Sequence, residues 1–181
     1  MRTVAAVAAS IVGAGLLSVS AQSDIDVQLR AQLSSLFPSA AQFSGKSGDP
    51  PHYKALGAAA REGAPPVLGY AFWTTELEPL ERGYDGPIKM LVGLDPKGML
   101  TGVIVVQHNE PYGNFSIEPP RFAAQFRGKS IRDPFKVGGD DDAVSRATIT
   151  ITSAARAIRN SARRVARQLL TPPSQPLQPD R

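Results

Sequence analysis

Three side chains able to do chemistry lie close together near the C-terminal end of this chain. Asp142, Ser145 and Thr148 follow a Gly-Gly-Asp-Asp turn and precede a long arginine-rich helical pattern. A Ser or Thr hydroxyl can act as a nucleophile or can carry a phosphoryl group. A hydrolase built on Ser145 or Ser153 would need a His partner, but the chain has only two His, and neither Ser lies in a nucleophile-elbow sequence. A hydrolase is therefore not expected here, and these residues taken alone could simply be the Ser/Thr-rich entry to a strand.

The composition limits which cofactors the chain can hold. Because the chain has no cysteine, thiolate zinc sites and iron–sulfur clusters are excluded, and His52 and His108 are too few for a His-rich metal site. Any redox activity must then come from an organic cofactor. The 181 residues, 42% hydrophobic and 20% charged, suffice for one domain with a core.

The first 21 residues have the features of a secretory signal. Their only charge is on Arg2, and residues 4–17 form an apolar run too short for a comfortable membrane span. Val19-Ser20-Ala21 offers small residues at the positions that a signal peptidase requires, so we expect cleavage before Gln22. The alternative is an uncleaved membrane anchor, and either outcome predicts a periplasmic domain.

The apolar periodicity predicts a single α+β domain over residues 22–170, a small antiparallel sheet packed by helices, followed by a Pro-rich disordered tail at 171–181. A turn signal, Asp95-Pro96-Lys97-Gly98, predicts a hairpin between two of the strands. Helices are predicted at 25–36, 53–61, 121–126 and 153–170, and strands at 67–75, 88–94, 99–107 and 147–152.

Two of these predictions concern the hydroxyl cluster, the side chains of Ser145 and Thr148. The alternation over 147–152 predicts a strand with its three Thr side chains on one face, and Ser153 would then cap the last helix.

The continuously apolar residues 103–106 predict a strand buried on both faces.

The stretch Asp142-Ala143-Val144-Ser145-Arg146-Ala147-Thr148 resembles the pattern Asp-x-x-Ser/Thr-Gly-Ala-Thr, at which a flavin transferase joins FMN to a Thr hydroxyl. Two more stretches agree with it: residues 83–98, which begin Gly-Tyr-Asp-Gly-Pro-Ile, and residues 102–111, which end His-Asn-Glu-Pro. Over about residues 33–170 the chain resembles the FMN-binding domain of the periplasmic flavin subunits of Rnf and Nqr electron-transfer complexes. It is more similar still to the N-terminal domain of the regulatory flavoproteins of nitrous oxide reduction.

The resemblance implies roles for individual residues. It places FMN on Thr148 through a phosphoester and makes Asp142 the acidic residue that the transferase requires. Ser145 and Ala147 match the small residues beside the phosphate. The segments expected to border the flavin ring contain Tyr84, Gly86, His108, Glu110 and Pro111.

Three features leave alternatives open. Arg146 stands where Gly is usual, and it either contacts the phosphate or blocks the close backbone approach that Gly allows. Residues 110–113 have the sequence Glu-Pro-Tyr-Gly instead of Glu-Thr-Pro-Gly, which places ring contacts there in doubt. Asp142 could also be a simple turn residue.

The last helical pattern carries five arginines, at 156, 159, 163, 164 and 167. A phosphate placed just before this helix would be favoured by the positive end of its dipole and by the arginines. The same residues could instead form a solvated face or dock on an acidic partner or an anionic membrane. No aromatic residues interleave with them, so nucleic acid is not expected.

The function implied by the resemblance is that of an exported electron-transfer flavoprotein with covalent FMN and no substrate of its own. It would need a flavin transferase for maturation and a membrane or periplasmic redox partner. The alternative is a flavin-free regulatory or binding module of the same fold.

Overall fold

The computed structural model describes residues 25–59, 63–135 and 145–170, and of Ser145 and Arg146 only the backbone. It has the predicted α+β class, with one antiparallel sheet and helices packed on both of its faces. The predicted signal segment, the predicted tail and Asp142 lie outside these residues.

Within the described residues the sheet has five strands, and their spatial order follows their order in the chain. Every neighbouring pair is antiparallel, so the sheet is a meander whose two outer strands are the first and the last. The strands are β1 (Gln42–Phe43), β2 (Tyr53–Leu56), β3 (Val67–Trp73), β4 (Lys89–Leu94) and β5 (Leu100–Gln107).

The predicted hairpin between β4 and β5 is confirmed. The Asp95 carboxylate accepts the backbone N–H groups of Lys97 and Met99, at 2.9 and 2.8 Å. Gly98 has a φ of +81°, the left-handed conformation that glycine adopts without steric cost. The turn therefore stabilises itself with local residues, which explains why the sequence signals it clearly.

In the described part of the chain, five helices pack around the sheet: α1 (Val27–Leu36), α2 (Thr74–Leu77), α3 (Gly113–Ser116), α4 (Pro120–Ala124) and α5 (Ser145–Leu169). Helix α1 begins after Asp26, whose carboxylate accepts the Leu29 N–H at 2.7 Å, an N-cap interaction. It ends at Leu36, as the following Phe37-Pro38 predicts.

The sheet separates two apolar cores. On one face α1 covers Ala71, Trp73 and Leu91, and on the other α5 covers Phe72 and Val92. Adjacent residues of one strand enter opposite cores because side chains alternate across a sheet. Strand β5 follows this rule: Val103 and Val105 pack on the α5 side and Ile104 and Val106 on the α1 side. Both of its faces are thus covered as predicted, although among residues 103–106 only Val103 is buried, because β5 is at the sheet edge.

The short helix predicted at 53–61 is wrong. Residues 53–56 form β2, in which buried Tyr53 and Ala55 alternate with exposed Lys54. Pairing with β3 satisfies the backbone of this segment, and burial of Tyr53 against α1 favours the strand. Long-range pairing outweighs the local helical preference.

The strand predicted at 147–152 is also wrong, since α5 already begins at Ser145. Ser153 therefore lies inside the helix and does not cap it. The β-branched residues of this stretch have only modest helix propensity, but burial of Thr150 and packing of Ile151 on the core outweigh it. The element that positions the hydroxyl cluster is thus the first two turns of a 25-residue helix.

Candidate functional site

Thr148 lies in the first turn of α5, and its side chain is exposed. Because successive helical residues are rotated by about 100°, Thr152 projects to the same side as Thr148 and Thr150 to the opposite side. Thr152 is exposed, whereas Thr150 is only 1% exposed. The prediction that the three Thr side chains share one face is wrong, and the helix instead presents Thr148 to solvent and turns Thr150 inward.

The buried partner of Thr150 is Glu110. The Thr150 hydroxyl donates to Glu110 Oε2, and the backbone N–H groups of Tyr84 and Asp85 donate to the same carboxylate at 3.0 and 2.9 Å. Glu110 is only 6% exposed, and these three donors satisfy its buried carboxylate. One buried carboxylate thus joins three segments that are far apart in the sequence: the 83–86 loop, the loop after β5 and α5.

Gly83 packs directly against this carboxylate. A Cβ at position 83 would collide with Glu110, whose Cδ would be 2.7 Å away. The Gly83 N–H also donates to the Gly86 carbonyl at 2.7 Å, which closes the loop on itself. Any larger residue at 83 would displace Glu110 from its donors.

A second link ties the same loop to α5. Ser153 Oγ lies 2.6 Å from the Arg82 carbonyl oxygen and 2.9 Å from Glu81 Oε1. Arg156, one turn further along α5, forms an ion pair with Glu81 at 3.2 Å. The 81–86 loop is therefore held against the first three turns of α5 at two points.

His108 is fully engaged by its neighbours. Its Nδ1 accepts the Glu110 backbone N–H at 3.1 Å, and its Nε2 lies 3.2 Å from Glu118 Oε1. Gly113 fits under the ring, because a Cβ there would collide with it. His108 and Glu110, both predicted to border the flavin ring, are thus placed beside the site with their polar atoms used internally.

Three apolar side chains on the segments around Thr148 are exposed to solvent. Tyr84 on the loop is 46% exposed, Phe115 on α3 is 69% exposed and Ile149 on α5 is 49% exposed. Helix α3 packs on α5, and the loop is joined to α5 through Glu110. Gly86 has a φ of +121°, and a Cβ there would meet no atom within 4 Å, so the loop borders open space. These features fit a planar apolar group lying on the surface beside α5.

The arginines do not support a phosphate at Thr148 in the expected way. At 1.5 Å per residue, the nearest of the five, Arg156, is about 12 Å along the helix from Thr148 and the farthest, Arg167, about 28 Å. Arg156 pairs with Glu81, and Arg164 donates to the Leu77 carbonyl at 2.9 Å. The first turn of α5 retains the helix-dipole contribution, which favours an anion there.

Ala147 in this turn is half-buried, while the side chains of Ser145 and Arg146 and the whole of Asp142 lie outside the described part of the chain.

Three residues of this arrangement were missed by sequence reasoning: Gly83, Thr150 and Ser153. Gly83 begins the segment that contains Tyr84 and Gly86, so its type was visible but its packing partner was not. The contacts of Thr150 and Ser153 had no signal in the sequence, since their partners lie 40 and 71 residues away in the chain.

Within residues 25–59, 63–135 and 145–170, no group of three or more His, Asp or Glu side chains is arranged to hold a metal ion. No helix in that part of the chain is long and apolar enough to cross a membrane.

Comparison with known families assigns the class of this domain. Residues 83–163 match the model of the FMN-binding domain, and this part of the chain is an FMN-binding domain of that family. The match runs from Gly83 through the Glu110 loop to α5, so it contains the Glu110 links to the 83–86 loop and to Thr150, while Glu81 and Arg82 lie just before it. FMN is the cofactor that the match assigns.

The similar curated proteins agree with this class. Each is the same component of an ion-translocating oxidoreductase complex. The protein of Haemophilus influenzae (strain KW20 / Rd) is 36% identical over 110 residues, covering 55% of this chain and 49% of the relative. That of Pseudomonas aeruginosa (strain PAO1) is 35% identical over 91 residues, covering 45% and 42%, and that of Aliivibrio fischeri is 34% identical over 89 residues, covering 44% and 42%.

The chain thus spans about half the length of the curated relatives it matches. The resemblance to flavin subunits of the Rnf type is confirmed. The closer similarity to regulatory flavoproteins of nitrous oxide reduction stays a prediction.

Proposed function

We propose that this chain is an exported electron-transfer flavoprotein that carries FMN on Thr148 through a phosphoester bond. The observation that carries the proposal is the different exposure of two neighbouring hydroxyls within the FMN-binding domain. Thr148 is open to a modifying enzyme, whereas Thr150 is buried and donates to Glu110. The motif selects Thr148, and its exposure leaves it open to modification.

The attachment reaction needs a flavin donor whose phosphate is activated as an anhydride, such as a flavin dinucleotide. The Thr148 oxygen forms a bond to the flavin-side phosphorus, and the pyrophosphate P–O bond breaks. The nucleoside monophosphate leaves, and the hydroxyl proton passes to the transferase or to solvent. No oxidation state changes in this step.

The surroundings of Thr148 suit the attached group. The first turn of α5 favours the phosphate, and the exposed side chains of Tyr84, Phe115 and Ile149 offer apolar contacts to a flavin ring. The flavin supplies the redox chemistry when it is bound. The protein holds it in place, and the links from Glu110 and Ser153 fix the loop that borders it.

Covalent attachment suits an exported domain, since free FMN would be diluted away outside the cell, whereas a tethered group has an effective concentration on the order of millimolar. The apolar run and small residues before Gln22 support export to the periplasm. The curated relatives belong by name to a complex of several proteins, which supports a membrane or periplasmic redox partner for this chain and not a substrate of its own.

The test is co-expression with a flavin transferase, followed by intact-mass and peptide analysis. We expect one FMN-derived adduct on a peptide containing Thr148, absent in Thr148→Ala. Thr152→Ala is the matched control, because Thr152 is also exposed and lies one turn further along the same helix face. Export is tested separately by fractionation, with a mature protein that begins at Gln22 as the expected product.

Unmodified Thr148 in a folded protein would refute the covalent link. It would leave the flavin-free module as the function, in which case partner binding would be the same for Thr148→Ala and the wild type.

A further inference from the structure

A basic groove lies at the other end of α5 from Thr148. It has a volume of about 500 Å³ and lies between the β4–β5 turn, the 129–133 segment and the last turns of α5. Its cationic lining residues are Lys97, Arg132, Arg163 and Arg167. The proposed function does not involve this groove, so the presence of four cations in it needs a separate explanation.

The four cationic side chains are available to bind an anionic ligand. In the described part of the chain, none of them forms an ion pair. Asp95 and Asp133 are the nearest acidic residues in sequence, but neither lines the groove, and their carboxylates accept backbone N–H groups. Among the described residues, the groove lining therefore carries four cations and no carboxylate.

Arg163 is held in position before any ligand arrives. Its Nε donates to the Ile131 carbonyl at 2.7 Å and its Nη2 to the Asp133 carbonyl at 3.3 Å. Neutral carbonyls leave the guanidinium charge in place, and Nη1 remains available as a donor. A fixed guanidinium loses little conformational entropy on binding an anion and matches the geometry of phosphate oxygens.

The remaining lining of the groove is apolar and points to the kind of anion. Met99, Ile131, Ala166 and Leu170 contribute to it, and Ile131 and Leu170 are only partly buried. A small free anion would gain little from these contacts, and Lys97, Arg132 and Arg167 are too exposed to enclose one. A lipid presents a phosphate at an open surface with apolar groups beside it, so it satisfies both kinds of lining.

We propose that this groove binds the phosphate headgroups of an anionic membrane lipid. The groove is about 22–28 Å from Thr148 along α5, estimated at 1.5 Å per residue. A domain docked there would hold the opposite end of α5, with Thr148, away from the lipid surface and open to a redox partner. The inference does not depend on the flavin, because no groove residue belongs to the site around Thr148.

The experiment is vesicle co-sedimentation of the protein as isolated from cells, at low ionic strength. Phosphatidylglycerol vesicles are compared with phosphatidylcholine vesicles, so that any uncharged contribution of the N-terminal segment cancels. A cation near an anionic membrane contributes about a fivefold change in affinity, so Lys97→Gln/Arg167→Gln is expected to weaken phosphatidylglycerol binding by roughly 20-fold. The matched control is Arg30→Gln/Lys54→Gln, which also removes one Arg and one Lys charge, but from exposed positions on α1 and β2. It is expected to change binding by less than about threefold.

Three results would overturn the proposal: equal binding to both kinds of vesicle, equal loss in the two double variants, or displacement by millimolar inorganic phosphate at constant ionic strength. The last would assign the groove to a soluble phosphate. Circular dichroism checks that each variant is folded. Thr148→Ala should bind vesicles as the wild type does, so failure of lipid binding and failure of flavin attachment can be told apart.

Discussion

Glu110 is a buried carboxylate whose environment defines what it does. Three donors bind its two carboxylate oxygens, and the residue is only 6% exposed. A group satisfied in this way is better placed to hold the 83–86 loop against α5 than to contact a flavin ring directly. Glu110 is thus a positioning residue in the candidate site, and its partner Thr150 is the cleanest place to test that role.

Replacing Thr150 by Val is expected to lower the free energy of unfolding by about 1.5–3 kcal/mol, the range for a hydrogen bond to a buried charged group. Val keeps the shape of Thr but leaves Glu110 Oε2 without its hydroxyl donor. Urea unfolding followed by the fluorescence of Trp73, the single tryptophan, measures the change.

Thr152→Val is the control for this substitution, since Thr152 is exposed on the same helix and should change stability by less than about 0.5 kcal/mol. Equal stabilities for the two variants would mean that the Thr150–Glu110 hydrogen bond does not hold the loop.

At the residue scale, the sequence predicts the residues with a local signature but not those defined by distant partners. Thr148 lies in a seven-residue motif, and Gly83 to Gly86 form a recognisable Gly-containing segment. The donors to Glu110 are backbone N–H groups 25 and 26 residues earlier and a hydroxyl 40 residues later. No spacing rule connects these positions, so the carboxylate could be predicted to be near the flavin but not to be buried.

Helix α5 is the element that carries both the candidate flavin site and much of the core beneath it. Ile158 is fully buried on this helix, whereas Ile149, more than two turns earlier, is 49% exposed. Ile158→Ala should therefore lower the free energy of unfolding by about 2–4 kcal/mol, from lost apolar burial and the cavity left behind. Ile149→Ala removes the same atoms from a largely solvent-facing position and should change stability by less than about 1 kcal/mol.

Thermal and urea unfolding of the two Ile variants provide the measurement. Similar losses for both would mean that the N-terminal turns of α5 pack as tightly as its centre, contrary to the exposure of Ile149.

Elements with short-range signals were predicted correctly, and those stabilised by distant contacts were not. The Asp95–Gly98 turn and the Asp26 cap bring their own hydrogen-bond partners, so the β4–β5 hairpin and α1 are visible in the sequence. The first turns of α5 contain alternating Thr and Ile, which locally favour a strand. Their helical state depends on Glu110, Glu81 and Arg82, which bind Thr150 and Ser153 from other segments.

The sheet divides the molecule into two cores, and only one of them supports the candidate flavin site. Leu33 on α1 is fully buried in the core of one face, together with Trp73 and Leu91, while α5 and the Glu110 links lie on the other face. Leu33→Ala should lower the free energy of unfolding by about 2–4 kcal/mol. Because Leu33 packs in one core and the buried residues of α5 in the other, the folded fraction should still accept FMN at Thr148 to the wild-type extent.

Ile158→Ala is the matched variant, with a similar loss of stability on the α5 face. It should reduce flavin incorporation per folded molecule, because a loosened α5 shifts Thr150 and Ser153 relative to the loop that they bind. Unfolding curves give the stability of each variant, and peptide mass spectrometry of the folded protein gives the occupancy of Thr148. Equal losses of occupancy would show that incorporation follows global stability. A loss confined to Leu33→Ala would show that α1 reaches the flavin site by a route across the sheet.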